Sequence, residues 1–459
     1  MKMKMKRKWY AAVCLLCMVL VLSAVLTSCG LGSATEIIGA EINERGELVL
    51  KYNNGKEQSL GVVVGKDGQD GQDGQDGKDG LNGENSSGGS VGSITITTGG
   101  SSTPAASSKG LRSAVSIVCT FQATVQQGGW RPGSGSTTTK SYSSAGSGVI
   151  YRLDKAEGDA FIITNYHVVY DASSNTENGI SNDISVYLYG SEIEEKAIKA
   201  TYVGGSLYYD IAVLRVEDSE ILAASDACAV DVADSDRIVV GDSAIAIGNA
   251  QGLGISATSG VVSVDTEYIT MTAADGKTEV SFRVMRVDTA INSGNSGGGL
   301  YDDEGNLIGI VNAKIVYDGV ENIGYAIPSN VAVSIAEDIM DYCFGTDTER
   351  VQRALLGITV STTDSKAVLD PATGLVQIKE TVSVYEVTSG SPADGTLQAN
   401  DVLVRATLNG KVLEITRQYH IIDMMLDVRA GDVVTLSILR GGEEMTVSMT
   451  ITEDCLMAY

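Results

Sequence analysis

From Val115 onward the chain is cut into short β-branched runs, and that rhythm narrows the fold more than any other feature. Val115-Ser116-Ile117-Val118, Gly148-Val149-Ile150-Tyr151, Phe161-Ile162-Ile163-Thr164, Asp183 to Leu188, Ile211 to Val216 and Ser243 to Ile247 alternate with Gly and Asp punctuation. Runs this short do not make helices. Many of them, with turn signals between, build an all-β barrel or sandwich. The polar stretch between Cys119 and Ser147 breaks the rhythm and is expected as a surface loop.

Three residues in this region have the side chains that nucleophilic catalysis requires. His167 follows a strand in Ile163-Thr164-Asn165-Tyr166-His167-Val168-Val169. Asp210 opens a later one in Tyr208-Tyr209-Asp210-Ile211-Ala212-Val213-Leu214. Ser296 lies in Asn292-Ser293-Gly294-Asn295-Ser296-Gly297-Gly298-Gly299. Each alone also fits a plain structural role: a satisfied histidine, a turn acid, a tight loop. Together with GSGVI at 146–150, IGNAQGLG at 247–254, TSGVVS at 258–263, LIGIVNAK at 307–314 and IGYAIPSN at 323–330, they resemble the bacterial HtrA (DegP-like) family of chymotrypsin-like serine proteases. The order His, Asp, Ser and the separations of 43 and 86 residues agree with it. The resemblance implies a double β-barrel over residues 111–344, with His167 as base, Asp210 as its orienting partner and Ser296 as nucleophile. The backbone N–H groups of Gly294 and Ser296 would form the oxyanion hole. Thr289-Ala290-Ile291-Asn292 brings no carboxylate to the specificity pocket, so small or medium aliphatic residues are expected at the cleaved position.

Residues 350–455 read as a second, small α+β domain. Strand-like runs at 356–360, 375–379 and 402–405 precede an amphipathic helix from His420 to Val428, and a hairpin turning at Arg440-Gly441-Gly442 closes the region. The pieces ALLGITV at 354–360, VTSGSPADGTLQANDVLVRATLNG at 387–410 and RAGDVVTLSILRGGEE at 429–444 resemble a PDZ domain of the HtrA type. That resemblance makes Leu355, Leu356, Gly357 and Ile358 a carboxylate-binding loop that accepts a C-terminal peptide as an added strand. His420 is open between a ligand contact and a helix-surface position. Between the two domains, Ile335 to Cys343 reads as a helix started at Pro328-Ser329-Asn330.

The first 110 residues look like an anchor and a tether. Lys2, Lys4, Lys6, Arg7 and Lys8 precede an apolar run from Ala11 to Leu26, the layout of an export signal. Leu26-Thr27-Ser28-Cys29-Gly30 resembles the lipobox of bacterial lipoproteins, which implies removal of residues 1–28 and lipidation of Cys29. Residues 29–64 hold a short β-element with the turn signal Asn53-Asn54-Gly55. Gly then recurs at every third position from 65 to 83, a collagen-like stretch over 65–85 that is either a hydrophilic spacer or a trimer-promoting stem. Residues 86–110 read as a flexible Gly/Ser/Thr linker.

A net charge of -25 leaves no basic surplus for a phosphate backbone, which excludes nucleic acid as a partner. Only two His exist, and Cys119, Cys228, Cys343 and Cys455 lack any C-x-x-C pair, so neither a metal nor a cofactor is expected. The partners implied are unfolded or misfolded polypeptides, C-terminal peptides, a membrane through the lipid, and two further copies in a homotrimer. The competing reading is a chaperone-like surface lipoprotein that holds chains without cutting them.

Overall fold

The structure, a computed structural model, describes residues 37–42, 47–53, 55–62, 103–127, 136–313, 323–345 and 351–458. The signal segment, Cys29, the collagen-like stretch and the linker as far as residue 102 lie outside them. The chain divides into two units, residues 1–95 and 96–459. In the first, strands β1 (Ile37–Ile42), β2 (Glu47–Tyr52) and β3 (Glu57–Val62) form an antiparallel sheet in that order. Gly55 turns β2 into β3 at the expected hairpin, donating its N–H to Tyr52 O at 3.0 Å. No helix among the described residues is long and apolar enough to cross a membrane.

The second unit begins with helix α1 (Thr103–Leu111). This corrects the expectation of a linker running to residue 110. Pro104 sits in the first turn, where its missing N–H costs nothing. Only Ala106 and Gly110 are buried, so the helix shows no apolar stripe in the sequence. It is held by packing on the second barrel and by Lys109, which reaches Asn306 Oδ1 at 2.7 Å and Asp231 at 2.8 Å.

Strands β4 (Ala114–Gln127), β5 (Ser136–Asp154), β6 (Asp159–Thr164), β7 (Asp183–Leu188), β8 (Ile198–Ser206) and β9 (Ile211–Val216) close the first barrel in the order β4-β5-β6-β9-β8-β7. Its interior is filled by Ile117, Ile150, Ile162, Ile184 and Leu214, all at most 2% exposed. Burial of each such side chain contributes roughly 2–3 kcal/mol against the entropy of ordering it. The expected loop between Cys119 and Ser147 is instead a two-stranded ribbon, paired from Cys119↔Ser144 out to Gln127↔Ser136. Along β4, apolar Phe121, Ala123 and Val125 alternate with polar residues, but the paired residues 136–144 are Ser, Thr and Lys apart from Tyr142, so half of the ribbon reads as a loop.

Strands β10 (Ser243–Gly248), β11 (Ser256–Thr272), β12 (Glu279–Val287), β13 (Gly299–Tyr301), β14 (Leu307–Val311) and β15 (Gly324–Pro328) close the second barrel in the order β10-β11-β12-β15-β14-β13. The first barrel also supplies a helical turn, α2 (Tyr166–Val169), and a second short helix, α3 (Glu220–Ala223), capped by Ser219. Helix α4 (Ser329–Tyr342) follows β15 directly. It starts at Pro328 as expected but runs a full turn and a half before Ile335. Its apolar face of Val331, Ala332, Ile335, Ala336 and Ile339 lies against β8 and β9 of the first barrel and β14 of the second.

The C-terminal domain is a sheet in the order β17-β18-β19-β21-β22, from Ile358–Leu369, Val376–Val387, Val402–Leu408, Val433–Arg440 and Glu443–Thr450, with β20 (Lys411–Glu414) on β19. Short β16 (Gln352–Ala354) pairs with β23 (Leu456–Ala458). Helix α5 spans Gln418–Met424, shorter than the expected 420–428. Met425, Leu426 and Val428 are buried from a turn, closed by Leu426 N–H to Asp423 O at 2.9 Å, so apolar spacing outlasts the helix. No disulfide joins the cysteines of the described residues.

Candidate active site

β6 delivers the chain to Asn165, and α2 then turns it so that Val168 and Val169 are buried and His167 is left in the cleft. Asp210 precedes β9 at φ +56°, a left-handed conformation uncommon for a non-glycine residue. The surroundings hold it there: Asp210 O accepts Tyr166 N–H at 3.1 Å and Asn165 Nδ2 at 2.9 Å. Its carboxylate is 2.6 Å from His167 Nδ1 through Oδ2, and Oδ1 accepts the His167 backbone N–H at 2.9 Å. Asn312, fully buried at the end of β14, donates Nδ2–H to Oδ2 at 2.8 Å. A carboxylate so placed takes the imidazole Nδ1–H and leaves the Nε2 lone pair for a proton from elsewhere.

Ser296 comes from the other barrel, on the segment between β12 and β13, and is 6% exposed. Two glycines make the segment possible. Gly294 has φ +97°, and a Cβ there would meet Asn249 O at 2.2 Å. Gly297 has φ +83°, and its Cβ would meet Ser147 O and Thr164 Oγ1, each at 2.3 Å. Through Gly297 the Ser296 segment therefore packs on Thr164 and Asn165, just before His167. Among the described residues, the N–H groups of Gly294 and Ser296 have no hydrogen-bond partner. These are the two donors expected for an oxyanion hole. No hydrogen bond among the described residues yet links Ser296 Oγ to the His167 ring; such contacts often tighten only when substrate is bound.

Leu355, Leu356, Gly357 and Ile358 line one wall of a cavity of about 300 Å³, and Ile421, Ile422 and Met425 line the other. β17 is the terminal strand of its sheet, so its edge is open to an added strand. The Leu356 and Gly357 N–H groups have no hydrogen-bond partner among the described residues. His420 is outside this cavity. It is 9% exposed, on the side of α5 that meets the protease domain, with Nδ1 at 2.9 Å from Glu414 O. Burial pushes its pKa down.

That same side of α5 carries a buried ionic cluster. Arg283 on β12 is 3% exposed. It contacts Asp236 at 2.9 Å and Asp423 at 3.1 Å, and its guanidinium lies 3.8 Å from the Tyr419 ring centroid. Arg417 reaches across to Asp265 on β11 at 2.8 Å. Burial pushes the Asp423 carboxyl up to about 7, with Arg283 opposing the shift.

The sequence named His167, Asp210, Ser296 and Gly294 but gave no role to Ser147, Asn249, Gln251 or Asn312. Each lies inside one of the motifs quoted above, so position was marked while function was not.

Residues 146–310 match the trypsin-like peptidase domain family, and residues 354–451 match the PDZ domain family. The chain is 34% identical over 319 residues to the serine protease Do-like HtrA of Bacillus subtilis, covering 68% of this chain and 64% of that protein. It is 32% identical over 326 residues to the serine protease Do-like HtrA of Lactococcus lactis subsp. cremoris, covering 68% and 71%. With the periplasmic pH-dependent serine endoprotease DegQ of Escherichia coli it shares 33% over 313 residues, covering 67% and 59%. Paired barrels, with a His–Asp couple in one and a glycine-flanked serine in the other, place the chain in the class of trypsin-like serine peptidases, extended by a PDZ domain. The chain belongs to the Do-like HtrA family of serine proteases. It spans about two thirds of the length of the Bacillus relative.

Proposed function

We propose that the protein is exported and hydrolyses peptide bonds in misfolded or exported polypeptides at the outer face of the cell membrane, while its PDZ domain captures exposed C-terminal peptides. In this reading His167 Nε2 takes the Ser296 proton as Oγ attacks the scissile carbonyl carbon. The tetrahedral oxyanion accepts the Gly294 and Ser296 N–H groups. His167 then returns the proton to the leaving amine, and water hydrolyses the acyl-enzyme by the same steps. Asp210 holds the imidazole in the working tautomer and stabilises its charge. The absence of a carboxylate in Thr289-Ala290-Ile291-Asn292 favours small or medium aliphatic residues at the cleaved position. Lipidation at Cys29 would tether the enzyme, and the collagen-like stretch suits either a spacer or a three-chain stem. The periplasmic naming of the Escherichia coli relative supports export.

The observation that carries this reading is the Asp210 carboxylate, buried and hydrogen-bonded to His167 Nδ1 at 2.6 Å. The test is cleavage of unfolded β-casein by residues 30–459, beside Ser296→Ala prepared identically. Cleavage by the first alone, with fragments ending in Val or Ala, supports the reading. A Ser296→Ala protein that cuts as well as its parent refutes it. Chain-holding without cutting by either favours the chaperone-like alternative.

A further inference from the structure

Four consecutive peptide carbonyls run through the nucleophile segment, and all four are taken. Ser293 O accepts Gln251 N–H at 2.7 Å, Gly294 O accepts Ser147 Oγ–H at 2.7 Å, Asn295 O accepts Gly298 N–H at 2.9 Å, and Ser296 O accepts Ser147 N–H at 2.8 Å. A trans peptide points its N–H opposite its C=O. Fixing the Ser293 and Asn295 carbonyls therefore aims the Gly294 and Ser296 N–H groups the other way, into the cleft.

Ser147 supplies two of the four donors from a single residue on β5. It is fully buried. Its hydroxyl also accepts Asn249 N–H at 2.8 Å, and its own carbonyl is pinned by Thr164 Oγ1 at 2.7 Å. The contact with Asn249 matters because Asn249 leads into the turn that presents Gln251. Asn249 is itself braced, its Nδ2 donating to Ser116 Oγ at 2.6 Å and its Oδ1 accepting Gly254 N–H at 2.8 Å. Gln251 sits at φ +56°, a conformation the chain adopts only when held. One hydroxyl thus bridges the Gln251-bearing turn and the nucleophile segment.

We infer that Ser147 is a positioning residue of the oxyanion hole: its hydroxyl accepts Asn249 N–H and donates to Gly294 C=O, clamping the turn whose Gln251 N–H holds Ser293 C=O, and it is that carbonyl's peptide plane that sets the direction of the Gly294 N–H. This rests on Ser296 being the nucleophile. Without the hydroxyl, both the Asn249 donor and the Gly294 acceptor are left buried and unpaired, and rotation of the peptide planes becomes their route to new partners.

The experiment compares the parent, Ser147→Ala, Ser147→Thr, Ser147→Cys and Ser296→Ala on a peptide substrate and on a peptide aldehyde inhibitor. The aldehyde forms a tetrahedral adduct whose oxygen needs the hole. A product-like peptide from the leaving side, which brings an amine and no carbonyl oxygen to the hole, does not. Ser147→Ala should lose about 100-fold in kcat with KM nearly unchanged. It should bind the aldehyde correspondingly more weakly while holding the product-like peptide as the parent does. Ser147→Thr, which keeps the hydroxyl, should recover most of the rate. If the Ala variant does not fold, Ser147→Cys, nearly the same size with a weak donor, gives the same reading. A parent-like kcat and aldehyde affinity in a folded Ala or Cys variant would overturn the inference, as would equal losses for both ligands. A Ser296→Ala protein that still cleaves would instead overturn the assignment of the nucleophile.

Discussion

Replacing Asn312 with leucine removes an amide from the Asp210 carboxylate while nearly conserving volume. Asp210 Oδ2 would then keep a single donor, the His167 ring, and lose the 2.8 Å bond from Nδ2. A charge-assisted hydrogen bond to a buried carboxylate contributes about 1.5–3 kcal/mol. If all of it is felt when the imidazolium forms, kcat/KM falls about 10- to 150-fold. The loss should appear in kcat, because Asn312 sits behind Asp210 and away from the substrate. The assay is steady-state cleavage of a fluorogenic peptide with Val at the cleaved position, with the melting temperature taken alongside. A folded Asn312→Leu enzyme within about twofold of the parent kcat would show that the His167 contacts alone hold Asp210, refuting the reasoning.

Other consequences can be checked separately. Gly294→Ala places a Cβ 2.2 Å from Asn249 O at φ +97°; kcat should drop about 10²- to 10³-fold as the hole donor is displaced, and an enzyme within about threefold of the parent would contradict the geometry. Asp423 binds its proton more tightly folded than unfolded, so its stabilising contribution is full below about 3.8 and is lost as pH rises towards about 7. The parent melting temperature should therefore fall over that window more steeply than that of Asp423→Asn, and parallel curves would sink the assignment. Ile422→Lys puts a charge into the apolar wall of the PDZ groove; anisotropy of a labelled C-terminal peptide should show binding lost, with the parent's hydrolysis of short peptides retained.

What could be read in the sequence follows what each feature depends on. His167, Asp210 and Ser296 were legible because their side chains and order are chemically unusual together. Ser147 and Gln251 act through which way a neighbouring peptide plane points, a property no residue type encodes. Helix α1 escaped notice because packing against Ile247 and Tyr301 requires small residues such as Gly110, and small residues also write linkers. The β4–β5 ribbon is half legible: Phe121, Ala123 and Val125 alternate with polar residues on β4, but residues 136–144 of β5 are polar apart from Tyr142, the composition of a loop. The apolar spacing locates helix α5 but overstates its length, since Met425, Leu426 and Val428 stay buried after the helical hydrogen bonds stop. The sequence does not decide between a ligand contact and a surface position for His420, and the structure gives it neither, because its surroundings come from β20 and the protease domain rather than from its own helix.

The two terminal helices of the protease domain are exchanged between the barrels. α1 lies on β10 and β13 of the second barrel yet runs into β4 of the first, while α4 leaves the second barrel from β15 and lies on β8 and β9 of the first. Each half thus carries a strap belonging to the other. Swinging the halves apart would strip both straps from their apolar seats at once, so the cleft works as a fixed slot rather than a pair of jaws. The barrel that carries His167 and the barrel that carries Ser296 are thereby tied to each other at both ends of the domain.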